Sequence, residues 1–318
     1  MQPEAGVWGM ETGFHIGWVA FGPLVLALLV ADLVLFHRDP RPVDFQRSLR
    51  ATFGWVLLAS AFGGLVAFTL GSHAAMEFFT GYAVELSLSV DNVFVFAVLL
   101  RYFAVPERAQ FPALFWGIIG ALFLRALFIF SGIALLNRFQ WLIFLFGGLL
   151  VVTGWKLLKG DGDDKVQPEK NILVRLGRRW LPLTNEYHGT RFWVQQGGHW
   201  MGTPLVLVLL AIGTTDLVFA IDSIPAILAI TRDPFIVLTS NAFAVLGLRA
   251  LYFAIAGLIK LFRHLNIGLA VILAFIGLKM IVSPWIHLPI TLTLGFVLTV
   301  LATAILTSIL QKPHHPKA

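Results

Sequence analysis

Four acidic residues stand inside long apolar stretches of the sequence. They form two pairs with the same spacing, Glu85 with Asp91 and Asp216 with Asp222. A charge at the centre of a bilayer costs roughly 2.5–3.5 kcal/mol on insertion scales, so such residues are rarely there without a use. The acids of each pair are six residues apart, which is about 9 Å along a helix at roughly 1.5 Å per residue. This pattern predicts a site or path for a cation.

The neighbours of these acids add neutral oxygen ligands. Asn92 and Ser223 each directly follow the second acid of a pair. Pro225 has no N–H, so it leaves the Ile221 carbonyl without its helical partner. Carboxylate, carbonyl and water oxygens suit Mn²⁺, Mg²⁺ or Ca²⁺. All histidines lie in loops, tails or helix ends, which argues against zinc, copper or nickel. We expect no permanently bound cofactor and a divalent cation as the transported substrate.

Basic residues accompany the acids. Arg125 and Arg249 lie midway along two other apolar runs, and Lys279 lies near a helix end. Four carboxylates and two guanidiniums leave two negative charges, which would match one divalent cation. We therefore predict that these three basic residues balance charge or gate the site. Asp32, near the end of the first run, is a further candidate ligand. The alternative is that all these charges form buried structural ion pairs.

The composition sets the environment of these residues. Apolar residues make up 58% of the 318 residues, charged residues only 13%, and the mean hydropathy is +0.84. Soluble domains have about 45–50% apolar and about 25% charged residues. The absence of cysteine excludes disulfides, cysteine metal sites and thiol catalysis. The net charge of +6 comes from basic loops, so we expect the lipid bilayer, and no nucleic acid, as a partner.

The apolar runs predict an all-α polytopic membrane protein with about nine transmembrane helices. They approach or exceed the length of about 20 residues that a membrane helix needs, and they are too long for barrel strands, which makes strands unexpected. Lys and Arg concentrate in alternate loops, which predicts an N-terminus outside and a C-terminus in the cytoplasm of a bacterial inner membrane. The runs are 16–36, 51–70, 76–100, 112–136, 140–158, 203–230, 236–260, 266–283 and 288–311.

Two parts of the chain repeat each other. The two acidic pairs match at an offset of 131 residues. The motif at 124–128 matches 248–252 at an offset of 124. Gly154 matches Gly277 at an offset of 123. The third to fifth runs therefore repeat as the sixth to eighth, and because their directions are opposed the repeats are inverted. Inverted repeats are typical of transporters, with the site near the midplane at the repeat interface.

This repeat predicts the organisation of the chain. We divide it into an N-terminal two-helix segment at 1–75, the first repeat at 76–158, a cytoplasmic loop at 159–202, the second repeat at 203–283, and a C-terminal helix with a tail at 284–318.

Inversion of the repeats also predicts the depth of the acids. Because an inverted repeat exchanges outer and inner halves, we expect two levels. Glu85 and Asp222 would lie nearer the outside, and Asp91 and Asp216 nearer the inside, as a ladder for a cation.

The loop at 159–202 contains a candidate interfacial helix over Asn171–Leu183. Its apolar residues share a helical stripe, and its basic residues lie off that stripe, as expected of a helix on an anionic leaflet. An ordinary loop helix is the alternative. The stripe consists of Leu173, Leu176, Trp180 and Leu183, and the basic residues are Arg175, Arg178 and Arg179.

The acidic motifs resemble those of the TerC family of integral membrane proteins. The similar segments are Glu85–Phe96, Asp216–Ile227, Asp233–Asn241, Leu248–Tyr252 and Gly277–Lys279, and the likeness extends over roughly 16–310. The family is associated with manganese export, pH-linked metal homeostasis and, by name, tellurium resistance.

The resemblance to the TerC family implies roles for individual residues. It implies that Asp91, Asn92, Asp216, Asp222 and Ser223 lie at the transport site, with Glu85 beside them. Members often carry a Glu at the position of Gly213, and its loss here would lower the affinity or change the metal.

Several functions agree with these observations. The first is export of divalent cations, with Mn²⁺ expected from the resemblance, by alternating access in exchange for protons, since the sequence has no G-x-x-x-x-G-K-[ST] motif for ATP. The second is a membrane scaffold for a metal-stress or protein-assembly complex, with the basic loop as its docking surface. Export of organic solutes fits less well with four carboxylates. An enzyme is least expected, because no nucleophile–base set is present. The sequence leaves the oligomeric state open.

Overall fold

The computed structural model describes residues 17–32, 45–159, 172–255, 265–286 and 288–310. Most of this part of the chain is helical. The predicted termini and the stretch from 160 to 171 lie outside the described residues. The predicted domain boundaries stay predictions.

Each predicted apolar run coincides with helix, and the bounds differ by a few residues. The helices are α1 (Gly17–Asp32), α2 (Phe45–Leu70), α3 (Ser72–Tyr102), α4 (Glu107–Arg138), α5 (Leu142–Leu158), α6 (Ile172–Trp180), α7 (Pro204–Leu228), α8 (Pro234–Leu246), α9 (Leu248–Ile255), α10 (Leu265–Val282) and α11 (Ile290–Leu310). The run at 236–260 thus contains most of α8 and the whole of α9, which lie on either side of Gly247.

Six helical segments within the described ranges are long and apolar enough to cross a membrane. They correspond to α2, α3, α4, α7, α11 and the combined α8–α9 segment, whereas α1, α5 and α10 are shorter. The predicted number of about nine spans is therefore not confirmed. The shorter three are still apolar helices packed within the bundle.

Two of the spanning helices begin with the same local chemistry. Thr203 and Asp233 each precede a proline at the first helical position, where a missing N–H costs nothing. The Thr203 hydroxyl accepts a hydrogen bond from the Leu205 N–H at 3.3 Å. The Asp233 carboxylate accepts one from the Phe235 N–H at 2.8 Å. These caps define where α7 and α8 start.

Glycines bring α5 and α10 into close contact. A Cβ on Gly147 would lie 2.8 Å from the carbonyl oxygen of Gly277. A Cβ on Gly154 would lie 2.7 Å from the carbonyl oxygen of Ala270. Since the contacts pair rising numbers on α5 with falling numbers on α10, the two helices are antiparallel. Small residues allow this backbone approach in membrane helices.

The loop before α7 contains a β-hairpin that the sequence did not lead us to expect. Strand β1 (Trp193–Gln196) pairs antiparallel with β2 (His199–Gly202). Gly197 and Gly198 have φ values of 61° and 80°, the left-handed conformation that a tight two-residue hairpin turn requires. The length of the apolar runs excludes strands only within those runs, and this short hairpin lies outside them.

This loop is fixed to the ends of two membrane helices. The Tyr187 hydroxyl donates a hydrogen bond to the Phe103 carbonyl oxygen, at 2.6 Å, just beyond the end of α3. The Thr203 N–H at the start of α7 donates to the Phe192 carbonyl oxygen at 2.8 Å. The end of α3 and the start of α7 therefore lie on the same side of the bundle, and the two helices run in opposite directions.

Candidate functional site

A buried arginine joins two of the predicted acids. The Asp216 carboxylate accepts hydrogen bonds from Arg125 Nε at 3.0 Å and from Arg125 Nη2 at 2.9 Å. Arg125 Nη1 donates to the Glu85 carboxylate. The three side chains are each only 1% exposed. The guanidinium thus stabilises two carboxylates whose burial in an apolar interior would otherwise be costly.

The two acids of this Arg125 cluster lie at the same depth. Asp216 is at the middle of α7, and Glu85 is two residues from the middle of α3. The predicted two-level ladder, which placed Glu85 and Asp216 at different depths, is wrong for this pair. An inverted repeat moves a residue from the outer half of the membrane to the inner half, but a residue at the midplane keeps its depth. Equivalent residues near the midpoints of two antiparallel helices therefore lie at the same level.

Asn92 also contacts the cluster. With its amide oriented to satisfy both neighbours, Asn92 Oδ1 accepts from Arg125 Nη2 at 3.2 Å and Nδ2 donates to the Leu88 carbonyl oxygen at 3.2 Å. This side chain is 2% exposed. The arginine therefore brings together Glu85, Asp216 and Asn92 of the predicted site.

The structure describes only some of the remaining predicted ligands. The side chains of Asp91 and Asp222 lie outside the described residues, although their backbones belong to α3 and α7. Ser223 is buried, and its hydroxyl has no hydrogen-bond partner within the part of the chain that the structure describes. The same holds for Ser87 and Ser89 on α3. Unpaired buried hydroxyls beside the acids are available to a polar substrate.

Arg249 has a different partner from the one expected. It forms a buried ion pair with Asp32 of α1, and its Nη2 also donates to the Asp32 carbonyl oxygen at 3.4 Å. Its guanidinium carbon lies 4.2 Å from the centre of the Phe111 ring, a cation–π distance. Asp32 therefore balances the charge of Arg249 in this structure.

Lys279 lies away from the Arg125 cluster. It is in the last turn of α10 and close to Glu77, near the start of α3. Glu77 also lies 3.8 Å from His73, measured from Oε1 to Nδ1. Lys279 therefore lies beside Glu77, eight residues along α3 from the Glu85 that Arg125 contacts.

The described side chains do not form a ready metal site. Among them, no three His, Asp or Glu side chains converge in a way that could hold a metal ion. Glu85 and Asp216 supply two carboxylates, and the next acids along each helix, Asp91 and Asp222, are the ones whose side chains are outside the described set. The described side chains therefore form an arginine-bridged acid pair in the middle of the membrane helices.

Sequence reasoning missed Asn241. This residue of α8 is 1% exposed and lies beside the Glu85 carboxylate. Its signal was available, since a buried amide inside an apolar run is as unusual as a charge.

The fold and the buried charges define an integral membrane protein. The model of the integral membrane protein TerC family matches residues 70–315, and the chain belongs to that family. No solved structure matches the chain.

Relatives of similar length occur in bacteria. An uncharacterized membrane protein of Myxococcus xanthus is 43% identical, with 96% of this chain and 97% of the relative covered. Proteins named putative membrane-bound redox modulator Alx are 42% identical in Photorhabdus laumondii, covering 94% of this chain and 96% of the relative, and 40% identical in Escherichia coli K12, covering 96% and 98%. Full-length bacterial relatives agree with a location in the inner membrane.

Proposed function

We propose that this protein exports divalent metal cations, with Mn²⁺ as the substrate, by alternating access at an acidic site in the middle of the membrane. The observation that carries the proposal is the buried cluster in which Arg125 bridges Glu85 and Asp216 at the midpoints of antiparallel α3 and α7. An intramembrane acid pair of this kind is by default a functional site. The choice of Mn²⁺ among hard cations rests on membership of the TerC family.

The pairing of Arg249 changes the charge balance of the site. Because Asp32 neutralises Arg249, we count Arg125 alone against Glu85, Asp91, Asp216 and Asp222. Four carboxylates against one guanidinium leave three negative charges, rather than the two predicted from both arginines. One divalent cation and one proton would balance them. This supports exchange of metal for protons, with an acid taking up a proton when the metal leaves.

The contacts between α5 and α10 support the inverted repeat. A Cβ on Gly154 would lie 2.7 Å from the Ala270 carbonyl oxygen, and one on Gly277 would lie 2.6 Å from the Gly147 carbonyl oxygen. Adding the repeat offset of 123 converts Gly154 to Gly277, and subtracting it converts Ala270 to Gly147. Each contact is therefore the counterpart of the other, as a pseudo-two-fold axis between the helices requires.

The ion pairs do not follow this symmetry, and that supports alternating access. Glu85 and Asp216 are equivalent acids, and Arg125 and Arg249 are equivalent arginines in the repeat. Arg125 forms ion pairs with both acids, whereas Arg249 forms an ion pair with Asp32. In the second conformation the repeats would exchange roles, with Arg249 approaching the acids as Arg125 withdraws. A transporter needs two such nearly equivalent states around one site.

The alternative is a membrane scaffold whose docking surface is the basic loop before α7. The α6 helix and the β1–β2 hairpin give that loop an ordered surface, which is the observation that favours it. The name of the Alx relatives points to redox modulation. Thiol chemistry has no residue to perform it here, because the sequence contains no cysteine. We propose no enzymatic activity.

Metal flux in proteoliposomes tests the proposal. We expect Mn²⁺ flux with the unmodified protein and none with Asp222→Asn, which removes one acid of α7. Glu186→Gln in the exposed loop removes the same charge outside the membrane segments and should leave flux unchanged. Equal flux in all three proteins, each shown to be folded, would refute a role for the acids. Flux that ignores a pH gradient would refute proton exchange, and loss of function only on deletion of the loop would favour the scaffold.

A further inference from the structure

The short helix α6 packs along the beginning of α7. Val174 is 2% exposed, and Gly177 is buried against α7. A Cβ on Gly177 would lie 3.0 Å from Leu207 Cδ2 and 3.0 Å from Leu210 Cδ1. The stripe that α6 buries is therefore formed by Val174 and Gly177, and it differs from the predicted stripe of larger apolar residues.

This packing sets the depth of α6 in the membrane. Leu210 comes six residues after Pro204, the first residue of α7, which is about 9 Å along the axis. Since α7 is one of the candidate spans, α6 lies beside the first two turns of a membrane helix. That level is where lipid headgroups meet the hydrocarbon.

Two further faces of α6 are exposed. Leu176 and Trp180 are 42% and 77% exposed, and because they are four residues apart they share one face. Arg175, Arg178 and Arg179 are also exposed. At about 100° per residue, the apolar face and the basic face lie on opposite sides of the buried stripe. A helix held by one side against α7 thus presents one apolar and one basic face.

We propose that α6 binds the headgroup layer of an anionic lipid leaflet. Leu176 and Trp180 reach toward the acyl chains, and the three arginines bind lipid phosphates. We choose an anionic lipid surface as the partner because of charge complementarity. The helix α6 has three exposed guanidiniums and no acidic residue. The depth of α6 places its exposed tryptophan at the level where Trp side chains are favoured in membrane proteins.

The absence of cysteine in the sequence makes the test direct. Single variants Leu176→Cys and Arg175→Cys carry a nitroxide label on the full-length protein in nanodiscs. Val218→Cys, at a position of α7 that is 55% exposed, serves as the reference for hydrocarbon depth. Label accessibility to oxygen and to a water-soluble nickel complex is compared in phosphatidylcholine alone and in phosphatidylcholine mixed with phosphatidylglycerol. The triple variant R175Q/R178Q/R179Q, combined with Leu176→Cys, tests the arginines.

We expect the ratio of oxygen to nickel accessibility at position 176 to be several-fold higher than at 175 and below that at 218. This ratio should rise when phosphatidylglycerol is added, and the triple variant or high salt should abolish the rise. A label at 176 that is open to nickel in both lipids would refute contact with the membrane. A ratio that is the same in both lipids would refute the preference for anionic lipid. A label shielded from both reagents would indicate a protein partner or a second copy instead of lipid.

Discussion

Removing Asp32 should strongly destabilise the protein through Arg249. Both side chains are buried, at 7% and 2% exposure, and they form a direct ion pair between α1 and α9. In Asp32→Asn the guanidinium keeps its burial and loses its carboxylate. Breaking one side of a buried pair costs about 3–5 kcal/mol, because an uncompensated charge remains. Stacking on Phe111 would return only about 0.5–2 kcal/mol and is present in both proteins.

A double-mutant cycle measures this effect. Arg249→Met fills a similar volume without charge, and the double variant removes both charges at once. We expect each single variant to unfold at a lower denaturant concentration or temperature in nanodiscs. The double variant should recover much of the loss, with a coupling free energy of about 0.5–3 kcal/mol. Asp32→Asn should also lower Mn²⁺ flux, since a released Arg249 would compete with the metal for Glu85 and Asp216.

Two outcomes would contradict this reasoning. If the effects of the single variants simply add in the double variant, Asp32 and Arg249 do not interact in the membrane. If Asp32→Asn lowers stability and leaves Mn²⁺ flux unchanged, the pair is structural, and the exchange of arginines between two conformations is wrong.

Two glycines support further predictions. Gly277→Ala places a Cβ 2.6 Å from a backbone oxygen of α5, which would force α5 and α10 apart. We expect this substitution to lower the free energy of unfolding by about 1–3 kcal/mol, as measured by thermal unfolding. The matched variant Gly148→Ala, with no atom within 4 Å of its Cβ, should be neutral, and equal stability of the two would refute the close contact. Gly213→Glu restores the carboxylate that members of the TerC family often carry, in a place with nothing within 4 Å of a Cβ. We expect tighter Mn²⁺ binding in a competition assay, and an unchanged affinity would indicate that the position does not face the substrate.

The helices and the acidic residues inside them could be predicted because both are local properties of the sequence. Hydropathy over about 20 residues identifies a membrane helix wherever it packs. The starts of α7 and α8 follow from Thr203-Pro204 and Asp233-Pro234, which combine a cap with a proline. The hairpin at 193–202 also has a local signal, since Gly197-Gly198 is a two-residue turn sequence, but its strands are too short to stand out by hydropathy.

The ion pairs depended on information that the sequence does not contain. Asp32 and Arg249 are separated by 217 residues, and no spacing rule connects them. This separation is why the sequence could not indicate that Arg249 pairs with Asp32. The predicted depth of Glu85 failed because Glu85 and Asp216 both lie within two residues of the midpoints of their helices, where inversion of the repeat leaves the depth almost unchanged.

The sequence by itself determined that this chain is a helical membrane protein with acids and arginines inside apolar segments, because burial of apolar surface and the cost of buried charge depend on residue type. Only the tertiary structure decided that Arg125 pairs with Glu85 and Asp216 while Arg249 pairs with Asp32. Ion pairing acts over a few ångströms, and that distance is set by how helices remote in sequence pack against each other.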